Sequence, residues 1–299
     1  MTVRSSPGAQ ARPTEVEFVG SDGIHLRADK WSAARPDTRP ETVLLLHGGG
    51  QTRHSWHATG YRLARAGFDA VAVDARGHGD SEWAVAGGYS LDAFVADVYA
   101  IADSLPGPIV LVGASLGGMT ALVAEGERPG LVSALVLVDV VPRPNEAGRA
   151  RIRAFMATAP DGFADLEEAV DALQTYNPLR PRPRSLDGLR KNLRRRVDGR
   201  WYWHWDPRFL EFGDEPTRGA DVVRLLEAAK RISVPTLLIR GSESDVVTLD
   251  GARELLEIIP HARAVEVQAG HMVAGDDNDV FTARLETFLS DLDANTPSS

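Results

Sequence analysis

The fold is decided by residues 109–118, which read Ile-Val-Leu-Val-Gly-Ala-Ser-Leu-Gly-Gly. The four apolar residues at 109–112 form a short continuous run, which is typical of a strand buried on both faces. A helical pattern begins directly after Ser115, so a G-x-S-x-G pattern lies between a strand and a helix. Gly113 and Gly117 remove side chains that would collide where the strand and the helix cross. This pattern predicts a sharp turn that presents Ser115 as a nucleophile.

Other parts of the chain repeat this alternation of strand and helix. Three further apolar runs are residues 43–46, 70–73 and 134–138. The helical patterns between them are residues 90–105 and 116–127. The alternation predicts a doubly wound, mostly parallel α/β sheet with right-handed crossovers. Residues 14–19 and 24–31 alternate polar and apolar side chains around Ser-Asp-Gly, which predicts an antiparallel hairpin at the sheet edge.

The middle of the chain interrupts the pattern. Residues 142–232 are rich in proline and arginine, with helical pieces but no convincing buried strand. The alternation resumes in four segments: a strand at 236–239, a helix at 249–259, a strand at 264–267 and a helix at 277–289. We therefore expect four parts: a core in two pieces, a mainly helical lid inserted between them, and a flexible tail. Their bounds are 1–141, 142–232, 233–291 and 292–299.

The composition narrows the class of protein. The 299 residues carry a formal net charge of −9 and include no cysteine. A net acidic chain is a poor partner for nucleic acid, and the lack of cysteine excludes disulfides and a thiol nucleophile. Residues 1–13 lack the apolar segment of a signal peptide, and the most apolar stretch is too short to span a bilayer. We expect a cytoplasmic monomer or homodimer that acts on a small molecule and binds no membrane.

A glycine run follows the apolar residues 43–46 and reads His47-Gly48-Gly49-Gly50. Such a run lets backbone N–H groups face a cavity without obstruction, and an oxyanion is held by donors of this kind. We assign the two donors to the N–H groups of Gly49 and Leu116. Gly48 or Gly50 remains an alternative to Gly49, because sequence does not fix which amide points inward.

A serine nucleophile needs a base and an acid that orients it. His271 follows the strand at 264–267, which places it at the same sheet edge as Ser115. Asp245 follows the strand at 236–239, and the order Ser115, Asp245, His271 is the order expected for this arrangement. Asp139, at the end of the strand at 134–138, and Glu243 are the alternative acids.

The predicted lid supplies candidate pocket residues. Three of the six tryptophans lie in the run Trp-Tyr-Trp-His-Trp at 201–205, which either packs the lid onto the core or roofs an apolar pocket. The candidate pocket residues are His54, Trp201, Trp203, His204 and Met272. Seven arginines between 180 and 196 favour a solvated surface over a clamp for an anionic substrate. No spacing of histidines and carboxylates predicts a metal site.

Taken together, these segments resemble the α/β-hydrolase superfamily, and more closely its lid-bearing esterase, lactonase and C–C hydrolase branch. The matching pieces are the glycine run at 47–50, Asp74-x-Arg76-Gly77-x-Gly79-x-Ser81, the serine turn at 113–117, Gly241 to Asp245, and Gly270-His271. The resemblance implies an eight-stranded sheet and acyl-enzyme chemistry without a metal or an organic cofactor. It also implies that Asp74, Arg76 and His78 hold loops together.

The resemblance also separates related activities. Epoxide hydrolases and haloalkane dehalogenases have a similar layout but carry aspartate at the nucleophile position, so Ser115 argues against both. We expect hydrolysis of a carboxylic ester or lactone of a small to medium, largely apolar substrate. Cleavage of a C–C or thioester bond by the same residues is one alternative. A slow or non-catalytic ligand receptor on the same fold is another, because fold does not fix function.

Overall fold

The computed structural model describes residues 12–34, 39–85, 88–178, 182, 186–211, 215–271 and 279–294. The strands are β1 (Thr14–Val19), β2 (His25–Trp31), β3 (Thr42–Leu46), β4 (Asp69–Val73), β5 (Ile109–Ala114), β6 (Ala134–Val138), β7 (Leu193–Arg195), β8 (Trp201–Trp203), β9 (Thr236–Gly241) and β10 (Arg263–Val267). The α-helices are α1 (His57–Ala66), α2 (Leu91–Ser104), α3 (Leu116–Glu127), α4 (Glu146–Met156), α5 (Leu166–Tyr176), α6 (Asp187–Arg190), α7 (Glu215–Ala229), α8 (Leu249–Ile258) and α9 (Asp279–Ala294). None of the helices in these ranges is long and apolar enough to cross a membrane.

Eight of the strands form one sheet in the order β1-β2-β4-β3-β5-β6-β9-β10. Six of them, β4, β3, β5, β6, β9 and β10, run parallel to one another, whereas β2 pairs antiparallel with both β1 and β4. This is the predicted α/β sheet with its edge hairpin. The parallel strands all end at one edge, and the loops that follow them carry the candidate catalytic residues.

Helices cover both faces of the sheet, which explains why its central strands are continuously apolar. Along β3, Leu44 and Leu46 pack into the core on one face, while Val43 and Leu45 pack into the core on the other. The side chain of Ser90 caps α2 as predicted, by accepting a hydrogen bond from the N–H of Ala93 at 3.2 Å. The sequence pattern had not singled out α1.

The chain between β6 and β9 holds α4 to α7, β7 and β8. We call this stretch the inserted segment. It is mainly helical, and it also contains a two-stranded antiparallel ribbon in which Leu193 pairs with Trp203. The first three residues of the aromatic run form strand β8. Within it, Trp203 packs against Phe155 and Phe163 and stacks on Trp205. These ring contacts fix the ribbon against α4 and the loop before α5.

Candidate active site

Ser115 occupies a strained position at the turn between β5 and α3. Its φ of 45° and ψ of −109° lie outside the conformations that residues other than glycine usually adopt. The crossing is tight: a Cβ on Gly113 would lie 2.3 Å from the Gly117 carbonyl oxygen, and one on Gly117 would lie 2.5 Å from the Leu46 carbonyl oxygen. Both positions therefore require glycine. The turn places Ser115 at the N-terminus of α3, where backbone N–H groups and the positive helix end are close.

His271 and Asp139 form a buried pair beside this turn. His271 Nδ1 lies 2.7 Å from Asp139 Oδ2, and the two side chains are only 3% and 4% exposed. An ionised carboxylate only accepts hydrogen bonds, so Nδ1 carries the proton and Nε2 is left as the basic nitrogen. Asp139 Oδ1 also accepts from the N–H of Gly241 at 3.0 Å, and Oδ2 accepts from Ser244 Oγ at 2.7 Å. Three donors therefore hold this carboxylate in place, two from the end of β9 and the loop that follows it and one from the loop after β10.

The expectation that Asp245 is the partner of His271 is wrong. The Asp245 carboxylate is 31% exposed and pairs instead with Arg151 of α4, with 3.3 Å between Nη1 and Oδ2. Glu243, the other candidate two residues away, is exposed to solvent. The loop after β9 contributes Ser244, whose hydroxyl bonds to Asp139. Asp139 also precedes His271 in the chain, so the order serine, acid, histidine is kept.

The glycine run lies next to Ser115, and two of its three glycine N–H groups donate hydrogen bonds within the protein. The N–H of Gly48 donates to Gln51 Oε1 at 2.9 Å, and the N–H of Gly50 donates to His78 Nε2 at 3.3 Å. Within the described part of the chain, no hydrogen bond takes up the N–H of Gly49 or of Leu116. Gly49 and Leu116 both line the cavity that contains Ser115, so their amides remain the candidate oxyanion donors.

Three buried histidines lie behind the glycine run. The His78 ring lies between those of His47 and His204, with ring centroids 5.3 and 5.8 Å apart. Each ring accepts a hydrogen bond from a backbone N–H: Ala75 to His47 Nε2 at 3.0 Å, Gly50 to His78 Nε2, and Gly79 to His204 Nδ1 at 2.7 Å. An accepting nitrogen cannot be protonated, so all three rings are neutral.

Burial is the main cause of low pKa values in this histidine cluster. It lowers the pKa of His47 to about 4, and the weaker hydrogen bond to the Gly48 carbonyl acts in the opposite direction. Burial, together with repulsion from His47 if that ring were also protonated, lowers the pKa of His78 to about 3. The pKa of His204 is also well below its usual range, again through burial first and then through repulsion from protonated His78 and His47.

The loop after β4 is fixed by buried ion pairs. Asp74 accepts from the Arg53 backbone N–H at 2.6 Å and from that of Asp80 at 2.9 Å, and it also pairs with the Arg53 guanidinium. Arg76 forms a two-pronged ion pair with Asp97, at 2.7 and 2.6 Å. These contacts agree with the role of Asp74, Arg76 and His78 in holding loops together.

One cavity of about 120 Å³ contains both Ser115 and His271. Its polar lining is Gly49, Ser115, Asp139, Arg149, Arg153 and His271. Its apolar lining is Leu116, Met119, Val140, Val141, Pro144, Ile152, Met156, Phe209, Leu210 and Val246. The inserted segment therefore covers Ser115 and His271 with one face of α4 and with residues 209–210.

The expected pocket residues lie elsewhere. Trp201, Trp203, His204 and His54 do not line this cavity. Trp203 is buried in the aromatic packing, His204 lies behind the glycine run, and His54 Nδ1 is 3.8 Å from Asp29 Oδ2. Met272 is outside the described residues. Of the two interpretations of the aromatic run, packing of the inserted segment is the one observed.

The described arginines between 180 and 196 are not part of the cavity lining. Arg182 pairs with Glu167 and Asp171 of α5, and Arg194 pairs with Asp80, all on exposed side chains. Arg196 lies over the Tyr202 ring. A surface role is thus the one observed for these residues, while Arg180 and Arg184 are outside the described residues.

Sequence reasoning missed the residues of α4 that line the cavity. Arg149, Ile152, Arg153 and Met156 follow the i, i+3, i+4, i+7 spacing of one helix face. That spacing is visible in the sequence, but two of its four positions are arginines, a residue type that is mostly exposed in folded proteins. Among the described residues, no group of three or more His, Asp or Glu side chains is arranged to hold a metal ion.

The sheet, the strained serine turn and the His271–Asp139 pair define a class of protein. A model of the α/β hydrolase fold family matches residues 41–277, which is most of the chain. The protein belongs to the α/β hydrolase fold family.

Individual relatives extend this result. The esterase Rv0045c of Mycobacterium tuberculosis is 32% identical over 270 residues, which cover 88% of this chain and 85% of the relative. The 3-hydroxybutyrate-oligomer hydrolase of Cupriavidus necator is 27% identical over 270 residues, covering 86% and 90% of the two chains. The crystal structure of an α/β hydrolase from Novosphingobium aromaticivorans matches the fold with a TM-score of 0.78 at 24% identity, covering 94% and 99%. The chain is a hydrolase enzyme.

Proposed function

We propose that this hydrolase cleaves a carboxylic ester or a lactone through an acyl-enzyme on Ser115. The observation that carries the proposal is the 2.7 Å contact between buried His271 and Asp139, in the cavity that also contains the strained Ser115. The relative from Mycobacterium tuberculosis is named an esterase, which supports ester hydrolysis.

The chemistry follows from the geometry of these groups. His271 Nε2 takes the proton of Ser115 Oγ, which attacks the carbonyl carbon of the substrate. The N–H groups of Gly49 and Leu116 hold the oxyanion, and the loss of one such donor costs about 2.7–4 kcal/mol of transition-state stabilisation. His271 then protonates the leaving alcohol. It next activates a water molecule that releases the acid from Ser115.

Asp139 takes the role of the acid in this scheme. Its carboxylate holds the imidazole with Nδ1 protonated and stabilises the imidazolium that forms during attack. The hydrogen bonds from Gly241 and Ser244 keep the carboxylate aimed at His271.

The test is turnover of a p-nitrophenyl short-chain ester, together with labelling by a serine-directed phosphonate. We expect hydrolysis by the wild type, none above background in Ser115→Ala, and a single phosphonate adduct on Ser115 by mass spectrometry. No turnover above that control, together with no adduct, would contradict hydrolysis through Ser115 and favour the alternative of a ligand receptor. A panel of esters, lactones, thioesters and β-diketones then separates ester hydrolysis from thioester and C–C cleavage by the same residues.

A further inference from the structure

Two arginines of α4 give the catalytic cavity a cationic wall. Arg149 and Arg153 both line the cavity that contains Ser115 and His271. They lie one helical turn apart, so their side chains leave the helix on the same face, with Ile152 and Met156 beside them. Apart from Asp139, whose carboxylate pairs with His271, the other residues of the inserted segment that line the cavity are apolar.

The placement of these arginines is specific to one face of the helix. Arg151 is on the same helix but does not line the cavity, and it pairs with Asp245 and lies over the Tyr176 ring. Arg149 is only 26% exposed, and Glu146, at 3.6 Å, has a largely exposed carboxylate. Arg153 Nη2 donates to the Leu210 carbonyl oxygen at 2.7 Å, which fixes its guanidinium at the cavity wall.

The charge of the whole chain makes this wall unusual. The formal net charge is −9, so the average field of the molecule repels anions. A cavity that only had to accept an apolar ester would gain nothing from two guanidinium groups, which are costly to desolvate. Two guanidinium groups beside the apolar residues of the same helix face suit a substrate that brings a carboxylate, because a guanidinium matches carboxylate geometry with paired N–H donors. The carboxylate of Asp139, which also lines the cavity, is instead paired with His271.

We propose that the substrate is an ester or lactone that carries a second, free carboxylate, and that Arg149 and Arg153 bind this carboxylate while Ser115 attacks the ester carbonyl. This inference rests on the proposed function. The carboxylate would join the existing partners of both arginines. It differs from a clamp built by the arginines between 180 and 196, whose described members lie on the surface.

The experiment compares substrates that differ only in charge. One pair is p-nitrophenyl hydrogen succinate and its methyl ester, which place the carboxylate on the acyl side. The other is 4-acetoxybenzoate and its methyl ester, which place it on the alcohol side. The measured quantity is the ratio of kcat/KM for the anionic substrate to kcat/KM for the neutral one, in the wild type and in variants.

We expect Arg149→Gln and Arg153→Gln each to lower this ratio by about tenfold or more in at least one pair, mainly through a higher KM for the anion. The charge-retaining variants Arg149→Lys and Arg153→Lys should recover part of the ratio, which separates charge from packing. Arg151→Gln is the matched control on the same helix and should leave the ratio as in the wild type. Melting curves of all variants check that each is folded.

The two proposals fail in different ways. If the neutral esters are hydrolysed in a Ser115-dependent manner but the ratio is unchanged by Arg149→Gln and Arg153→Gln in both pairs, the carboxylate site is overturned and the hydrolase proposal stands. The same holds if Arg151→Gln lowers the ratio as much as they do. If the neutral esters show no Ser115-dependent turnover, the proposed function itself fails.

Discussion

Asp139 combines a buried carboxylate with three hydrogen bonds, two from the end of β9 and its following loop and one from the loop after β10. Its backbone φ of 49° is unusual for a residue other than glycine, and it follows β6 directly. Strained backbone of this kind persists when the surroundings hold it. Here the N–H of Gly241, the hydroxyl of Ser244 and the ring of His271 provide that support. The conformation aims the carboxylate at His271.

The first prediction separates Asp139 from Asp245. Asp139→Asn should lower kcat by about 10³- to 10⁴-fold, because an amide at this place favours the wrong tautomer of His271. Asp245→Asn is the matched control at the carboxylate that pairs with Arg151, and it should change kcat less than about twofold. Steady-state kinetics on a p-nitrophenyl ester measure both. A larger loss in Asp245→Asn than in Asp139→Asn would remove Asp139 from the mechanism.

The three buried histidines connect three separate elements. His47 belongs to the glycine run, His78 to the loop after β4, and His204 to the inserted segment. Their hydrogen bonds to backbone N–H groups require neutral rings, and a proton on any of them would place two donors face to face. The cluster therefore holds the glycine run only while it is uncharged.

The second prediction concerns the pH dependence of stability. The folded pKa values of His47 and His78 are lowered to about 4 and about 3, whereas an unfolded histidine has a pKa of about 6.5. Between these values the unfolded chain binds protons that the folded chain does not, so the free energy of unfolding falls as the pH falls. The stability contributed by neutral rings is fully present above about pH 6.5. It is lost as the pH drops toward 4, by about 1.4 kcal/mol per pH unit for each histidine.

A single variant isolates this effect. His204→Gln removes one titrating ring. The free energy of unfolding, measured with denaturant between pH 4 and pH 6.5, should therefore fall less steeply with falling pH, by the amount that corresponds to about one bound proton. The exposed His261, replaced by Gln, is the control and should keep the wild-type slope. An unchanged slope in His204→Gln would show that this ring does not stay neutral in the folded chain.

Arg53 links distant parts of the fold through one buried guanidinium. Its side chain is 3% exposed and contacts Glu15 of β1, Asp29 of β2, Asp74 after β4 and Asp80 in the following loop. The antiparallel hairpin is thereby joined to the parallel part of the sheet. Because Asp74 and Asp29 are buried, removal of the arginine leaves their charges without a partner.

The third prediction compares a buried and an exposed arginine. Arg53→Met should lower the free energy of unfolding by about 3–5 kcal/mol, because it leaves buried carboxylates uncompensated. Arg182→Met is the control, since Arg182 also contacts two carboxylates but on the exposed surface of α5, and it should lower the free energy of unfolding far less than Arg53→Met does. Urea unfolding measures both. Equal losses in the two variants would contradict a special role of the buried network.

Local sequence was enough to predict most of the sheet. The strands at 14–19 and 134–138 and the helix at 116–127 have the predicted bounds, and other elements differ by a few residues at their ends. Apolar periodicity and glycine spacing are local properties, so they can be read without knowing which segments meet. The edge position of His271 followed in the same way, from the rule that the carboxyl ends of parallel strands lie together.

The identity of the carboxylate that pairs with His271 depends on the backbone path of the loops that follow the strands. Both β6 and β9 end at the sheet edge where Ser115 and His271 lie. An aspartate follows each strand in the sequence, Asp139 after β6 and Asp245 after β9. The tertiary structure decided between them, because the loop after β9 packs against Gly148 of α4 and carries Asp245 toward Arg151. The strained turn after β6 leaves Asp139 facing His271. A choice between two side chains at one edge depends on backbone path, which residue type does not encode.

The sequence by itself determined the α/β sheet, the serine turn at Ser115 and the histidine at its edge, because each follows from local pattern and chain order. Only the tertiary structure decided the partner of His271 and the lining of the cavity. The tryptophans of the inserted segment are buried in its own packing, while one face of α4 covers Ser115. The physical reason is that the docking of an inserted segment is set by contacts between residues far apart in the chain, such as Trp203 with Phe155.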